Sequence, residues 1–144
     1  MKTTETDWLE QVQKKTIRFK RKYSLLVKEN LEPSGITPFQ LQILWILQRN
    51  SGMGTTQLAE KLSVKPSAVT MGSNQLCKMG LLNRVHSETD RRQIRLDLTV
   101  QGKKRLEEAM DLHTELASEV FSCFSETERD TLFQLMDKLE QNIC

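Results

Sequence analysis

The chain has 144 residues, of which 38% are hydrophobic and 28% charged, and its formal net charge is +2. These values are typical of one globular domain, and a chain of this length has little room for a deep catalytic site. No apolar run approaches the roughly 20 residues that span a bilayer, and the polar start does not resemble a signal peptide, so we expect a cytoplasmic protein without a membrane segment. The three cysteines lack metal-ligand spacing. We therefore expect neither a metal nor a cofactor.

Two helices are predicted in the first third of the chain. Apolar residues recur every three or four positions from Leu9 to Leu26, which places them on one stripe of a long helix that ends before the breaker cluster at 32–35. A second helix begins at Thr37 and Pro38, since threonine caps helices and proline suits their first turn. It is apolar on nearly all sides, so we expect it at the centre of the core.

Residues 55–98 carry the order of elements that a winged helix-turn-helix requires. A short helix is predicted from Thr55 to Leu62, with Thr55 or Thr56 as its cap, and a tight turn follows. A second helix is predicted over 66–79 and ends at Gly80, a residue that tolerates positive φ. This second helix is the candidate for reading the DNA major groove.

The second helix of this motif has two predicted faces. Val69, Leu76 and Met79 form the expected core stripe, which Gly72 and Ser73 interrupt. The outward side chains are short or flexible, so they suit hydrogen bonds to base edges or phosphates and a methyl contact to thymine, and an asparagine there can pair with adenine through two bonds. The candidate base contacts are Ser67, Ala68, Thr70, Met71 and Asn74. Ordinary solvated positions on an amphipathic helix are the alternative.

A β-hairpin is predicted after this helix. Leu81 to His86 forms one strand, Ile94 to Leu98 alternates as the other, and Met53 is expected to add a short third strand. The loop at 87–92 is the predicted wing, in which Arg91 and Arg92 suit a narrow minor groove and Asp90 orients Arg92. A solvated turn with a weak surface ion pair is the alternative.

Two more helices are predicted at the carboxyl end. Thr99 caps a long helix that reaches Phe124, and the capping-box sequence at 125–128 starts a final helix whose apolar stripe reaches Ile143. A small winged module cannot cover the apolar stripes at both termini. The sequence therefore predicts a dimer.

Charge is segregated along the chain. Residues 52–105 hold ten basic and four acidic side chains, whereas 106–144 hold two basic and ten acidic ones. A basic middle suits contact with phosphates, which supply most sequence-independent DNA affinity. The candidate phosphate contacts are Lys61, Lys65, Lys78, Arg84 and Arg95. Chance segregation and solubilising charge are the alternatives.

The helix sequence at 55–62, the Asp-Arg-Arg triplet at 90–92 and the Leu-Thr-x-x-Gly segment ending at Gly102 resemble the MarR (multiple antibiotic resistance regulator) family. The resemblance implies a mainly helical fold with a small β-hairpin wing, in which a winged module at 36–98 is carried on dimerisation helices at 1–35 and 99–144. It also implies a homodimeric bacterial regulator that binds a pseudo-palindromic operator in double-stranded DNA. The chain departs from the family at 71–73, where the family often has arginine followed by large apolar residues.

The resemblance also implies a pocket for a small effector, located between the dimer helices and the winged module. Its candidate lining residues here are Tyr23, Phe39, Trp45 and His113, each of which also suits core or interface. Redox sensing through Cys77 is a second possible input, although the family's peroxide-sensing branch usually carries its reactive thiol in the first helix, where this chain has no cysteine.

Two other classes of function fit the sequence less well. An enzyme requires convergent acid, base or nucleophile groups, and the two histidines have no accompanying motif, so no catalytic residue is expected. A winged helix used for protein contacts is the other alternative, because a fold alone does not fix function. The Arg91-Arg92 loop and the basic middle favour a sequence-specific DNA-binding protein over this alternative. The resemblance implies a repressor or an activator, and of the two we expect a repressor relieved by a small ligand.

Overall fold

The structure is a computed structural model that describes residues 4–86 and 94–143. It divides into two compact units, Met1–His113 and Thr114–Cys144. The helices are α1 (Glu5–Leu31), α2 (Pro38–Arg49), α3 (Thr55–Leu62), α4 (Pro66–Lys78), α5 (Val100–Val120) and α6 (Glu126–Ile143), with short 3₁₀ turns at Glu32–Ser34 and Phe121–Cys123. The strands are β1 (Met53–Gly54), β2 (Leu82–His86) and β3 (Ile94–Leu98).

The starts of α2 and α3 are set in different ways. The hydroxyl of Thr37 accepts the backbone N–H of Gln40 at 3.2 Å while the Gln40 amide oxygen accepts the N–H of Thr37 at 3.0 Å, which is a complete capping box. The predicted cap of α2 is thus confirmed. The predicted cap of α3 is wrong, because the cap is Gly54 and both threonines lie inside the helix. The reason is that Gly54 pairs with Arg95 in the sheet, so the chain leaves the extended conformation immediately after it.

The three strands form one antiparallel sheet in the order β1-β3-β2. Met53 pairs with Leu96, so the short third strand expected from the sequence is present. Leu82 to His86 pairs with Leu98 to Ile94 in continuous register. Leu96 is buried at the centre of β3, whereas Ile94 at its start is exposed.

The core of the first unit is built around α2. Ile43, Leu44 and Leu47 are fully or almost fully buried, as are Leu58 of α3 and Leu76 of α4. Helix α2 is therefore the central helix that its apolar sequence predicts. Burying such side chains supplies most of the stability of a small domain.

Gly72 allows α4 to approach α2 closely. A Cβ atom there would lie 2.9 Å from Cδ1 of Ile43 and 3.2 Å from Cε1 of Phe39. The interruption in the core stripe thus marks close helix packing. Met79, which was predicted to complete that stripe, is 39% exposed, because α4 ends at Lys78 and Met79 already belongs to the turn.

The start of α5 is tied to the turn between α4 and β2. The Thr99 hydroxyl donates to the carbonyl of Gly80 at 2.7 Å and accepts the N–H of Gly102 at 2.9 Å, while the Thr99 N–H donates to the carbonyl of Leu81 at 3.1 Å. The predicted cap at Thr99 is therefore confirmed, and it also fastens α5 to the winged module.

The carboxyl end of α1 is also fastened to α5. The side-chain amide of Asn30 donates to the carbonyl of Leu112 at 2.7 Å, and the guanidinium of Arg105 donates to the carbonyl of Ser34 at 2.8 Å. Leu31 and Leu106 are buried. These contacts hold the end of α1 against α5 within the first unit.

The second unit contains the end of α5, a 3₁₀ turn and α6. The capping box predicted at 125–128 is confirmed, since Ser125 and Glu128 each accept the other's backbone N–H. The hydrogen bond from the Ser125 N–H is the main cause that lowers the pKa of the Glu128 carboxyl below its usual range. No described residue of α6 is buried, and Phe133 is 71% exposed. None of the helices in the described residues is both apolar enough and long enough to span a membrane.

Candidate nucleic-acid interface

The turn between α3 and α4 sets the direction of α4. Ser63 adopts a left-handed conformation with φ of 54°, and it is the one non-glycine residue with positive φ among residues 4–86 and 94–143. The N–H groups of Ser63 and Val64 then close the end of α3 on the carbonyls of Glu60 and Ala59. Pro66 occupies the first turn of α4, where its missing N–H costs no hydrogen bond because the first N–H groups of a helix have no partner within the helix. These features produce the tight helix-turn-helix that the sequence predicts.

Helix α4 presents three of the five candidate base contacts to solvent. Ser67, Thr70 and Met71 are exposed, and Met71 reaches 66%. The Thr70 hydroxyl donates to the carbonyl of Pro66 at 3.0 Å, so its oxygen remains available as a hydrogen-bond acceptor. Ala68 and Asn74 are half-buried, and Oδ1 of Asn74 is inaccessible to solvent and has no hydrogen-bond partner in the described structure. A two-bond contact of Asn74 with adenine therefore requires its amide to turn.

Gln75 is a residue of this face that the sequence analysis did not single out. Its side chain is exposed, and its Oε1 accepts a hydrogen bond from Nε2 of the buried Gln40 at 3.1 Å. The available signal was its position four residues after Met71, which places the two on the same side of a helix. Its partner lies 35 residues away, which no local pattern reveals.

The five candidate phosphate contacts that were expected are all exposed, but they do not share one face. Lys61 lies in the last turn of α3, Lys65 precedes α4, and Lys78 ends α4. On the hairpin, Arg84 pairs with Leu96 and Arg95 pairs with Val85, so the two arginines point to opposite faces of the sheet. The residues in question are Lys61, Lys65, Lys78, Arg84 and Arg95.

Arg95 lines an open cleft at the amino-terminal end of α3. The cleft has a volume of about 420 Å³, and its other lining groups include Thr55, Thr56 and Gln57. A guanidinium, two threonine residues and a helix amino terminus form an environment that favours an anion such as a DNA phosphate. The proposed wing at 87–92, with Asp90, Arg91 and Arg92, lies outside the described residues.

A second cleft brings together two of the four candidate effector residues. Trp45 and His113 line a space of about 260 Å³ together with Leu41, Gln42 and Met110. Nδ1 of His113 is buried and has no hydrogen-bond partner among the described residues. The guanidinium carbon of Arg49 lies 4.3 Å from the ring centre of Trp45.

The other two candidate effector residues lie elsewhere. Tyr23 stacks on Phe19 with ring centres 5.6 Å apart, and Phe39 lies against the position of Gly72. The thiol of Cys77 is half-buried and unpaired. Within residues 4–86 and 94–143, no group of three or more histidine, cysteine or acidic side chains is arranged to hold a metal ion.

Comparison with known proteins identifies the family. The MarR family model matches residues 36–94. The chain is 34% identical to the HTH-type transcriptional repressor MdtR of Bacillus subtilis over 113 residues, which are 78% of this chain and 73% of that protein. A solved structure of a MepR-like protein complexed with pseudoligands is 37% identical, covers 98% of both chains and has a TM-score of 0.66. Wild-type MarR of E. coli in its apo form is 26% identical, with 87% of this chain and 94% of that chain covered and a TM-score of 0.77.

These matches extend over the winged module and the flanking helices, and they agree with the mainly helical fold and the three-stranded wing described above. The family comprises transcriptional regulators and not enzymes, as the sequence predicts. The chain belongs to the MarR family and is a DNA-binding winged helix-turn-helix transcriptional regulator.

Proposed function

We propose that the protein is a bacterial cytoplasmic repressor that binds a pseudo-palindromic operator as a homodimer. Helix α4 lies in the major groove, where Ser67, Thr70 and Met71 face base edges. The wing at 87–92 follows the minor groove through Arg91 and Arg92. The exposed polar face of α4, next to exposed cations, is the observation that supports this docking. The repressor assignment is supported by MdtR, the relative that carries that description.

The homodimer is supported by apolar side chains that a single chain leaves in water. Trp8 is 58% exposed and Ile17 61% on α1, and Phe133 and Leu139 on α6 are more exposed still. Apolar exposure on this scale is typical of an interface. We therefore assign dimerisation to helices at 1–35 and 99–144, and DNA reading to 36–98.

Selection from a random pool of duplexes tests both proposals. We expect the bound duplexes to share two inverted half-sites whose centres lie about 10 base pairs, or one helical turn, apart. Sedimentation at micromolar concentration should give twice the chain mass. Bound duplexes with one isolated half-site, or a sedimenting monomer, would contradict the dimer model.

We further propose that the cleft at Trp45 and His113 binds the effector that releases the repressor. Its apolar walls, formed with Leu41 and Met110, suit one aromatic ring, and the unpartnered Nδ1 of His113 suits one hydrogen-bonding substituent. The MepR-like relative was solved with pseudoligands, which supports a binding site of this kind. A cysteine switch at Cys77 remains the alternative input.

Replacing His113 by phenylalanine keeps the ring volume and removes the hydrogen-bonding nitrogen. In a titration with single-ring phenols and aromatic acids, we expect the concentration that half-releases operator DNA to rise roughly tenfold, which is the effect of losing one buried hydrogen bond. The release curve of each protein is normalised to the affinity of that same protein for operator DNA without the added compound. Equal release concentrations for His113→Phe and wild type would rule out this cleft as the effector site.

A further inference from the structure

The amide of Gln40 has a fixed orientation. Its Oε1 accepts the backbone N–H of Thr37 at 3.0 Å, and a backbone N–H can only donate. The oxygen of the amide must therefore face Thr37, and the nitrogen must face the other way. Gln40 is 5% exposed, so solvent does not compete for either group.

This orientation fixes the amide of Gln75 in turn. Nε2 of Gln40 donates to Oε1 of Gln75 at 3.1 Å, so the Gln75 oxygen faces inward. The Gln75 nitrogen then points away from α2, and no acceptor meets it in the described parts of the chain. The backbone N–H of Thr37 thus fixes the orientation of the Gln40 amide, and the Gln40 amide fixes that of the Gln75 amide at the surface of α4.

Gln75 lies on the side of α4 that carries Met71, one helical turn earlier. Both side chains are exposed. The side-chain nitrogen of Gln75 is therefore a hydrogen-bond donor that is available to a molecule bound by α4.

We propose that Gln75 donates its amide N–H to a hydrogen-bond acceptor on operator DNA and that Gln40 is the positioning residue that makes it a donor. The acceptor is either a base-edge group, such as the keto oxygen of guanine or thymine, or a phosphate oxygen. Because Oε1 is already engaged, Gln75 does not form the two-bond contact with adenine that a glutamine can otherwise make. This inference rests on the proposed docking of α4 in the major groove.

The variant Gln40→Glu tests the orientation. Glutamate also suits this position of a capping box, so the bond with the Thr37 N–H remains. A carboxylate cannot donate, however, so the Gln75 amide turns to donate inward and presents its oxygen to DNA. We expect operator affinity to fall roughly tenfold.

The two possible acceptors give different patterns in a selection from random duplexes. If Gln75 contacts a base, Gln40→Glu shifts the preference at one position of each half-site from guanine or thymine toward cytosine or adenine, which offer amino donors. If Gln75 contacts a phosphate, the loss is uniform across sequences. Unchanged affinity together with unchanged preference would overturn the proposal.

Two further variants separate this effect from charge and from stability. Gln48→Glu adds the same charge at an exposed position of α2 and should leave operator binding as in wild type. Gln75→Met removes the donor without touching the cap, so a roughly tenfold loss is expected from it alone. In the Gln75→Met background, Gln40→Glu should then have little further effect on preference or affinity.

A Gln40→Glu effect that persists in full in the Gln75→Met background would overturn the positioning role, as would wild-type affinity of Gln75→Met itself. A separate experiment tests the proposed docking of α4 itself. If wild-type protein selects an operator but Ser67→Ala, Thr70→Ala and Met71→Ala combined in one variant leave its sequence preference unchanged, α4 is not the reading element.

Discussion

Replacing Gly102 by alanine is expected to lower the free energy of unfolding by about 3 kcal/mol, at the upper end of overpacking effects. A Cβ atom there would overlap the carbonyl oxygen of Leu81 and lie 3.0 Å from its carbonyl carbon. These are backbone atoms, so no rotamer change relieves the clash. The start of α5 must move instead, and that movement strains the bonds of Thr99 to Gly80 and Leu81. Urea unfolding at fixed protein concentration measures the change.

Gln101→Ala is the matched control for this prediction. It places the same side chain at the neighbouring, exposed position of the same helical turn, and its effect should stay within about 0.5 kcal/mol. If Gly102→Ala unfolded at the wild-type urea concentration, the close approach of α5 to Leu81 would not exist in solution.

Operator affinity is expected to fall at least a thousandfold between 50 and 200 mM salt. All five candidate phosphate contacts of the winged module are exposed, so a dimer of the kind proposed that uses even three of them per module neutralises about six phosphates. Releasing that many counterions gives a slope of log affinity against log salt of about −5 or steeper. Fluorescence anisotropy on a labelled operator duplex, over a series of salt concentrations, measures the slope directly.

Lys65→Ala should reduce the magnitude of this slope by about 2 if, as proposed, the protein binds as a dimer and each module loses one phosphate contact. Lys65 is exposed and immediately precedes α4. Lys138→Ala on α6 removes the same charge from the acidic end of the chain and should leave the slope as it is. A slope near zero for wild type, or an equal change in both variants, would contradict phosphate contact by the basic middle of the chain.

The parts of the structure that could be predicted from the sequence are those governed by local rules. Thr37, Thr99 and Ser125 each cap the helix they were expected to cap, because a hydroxyl just before a helix accepts a hydrogen bond from an N–H of the first turn that has no partner within the helix. The order of helices and strands followed from hydrophobic periodicity and from glycine and proline positions. The cap of α3 was missed because strand pairing of Gly54, a tertiary contact, decided where the helix begins.

The site was less predictable because its geometry depends on distant partners. Exposed positions of α4 such as Ser67 and Met71 followed from helical periodicity, whereas Gln75 depends on a buried side chain of another helix. Trp45 of α2 and His113 of α5 line one cleft although they are 68 positions apart in the sequence, and nothing local to Tyr23 or Phe39 indicated that they lie elsewhere. The roles of individual residues in DNA contact therefore stay predictions.

The close packing at Gly72 has a consequence for how operator preference can change. The residues that seat α4 on its neighbours, such as Gly72 and Leu76, are buried, while Ser67 and Met71 lie entirely outside that contact. If these two positions contact bases as proposed, substitutions there alter which sequence is recognised without moving the helix, so duplicated copies of such a chain are expected to need few mutational steps to acquire separate operators. Position 75 is constrained differently, since a new side chain there must also satisfy the buried amide of Gln40.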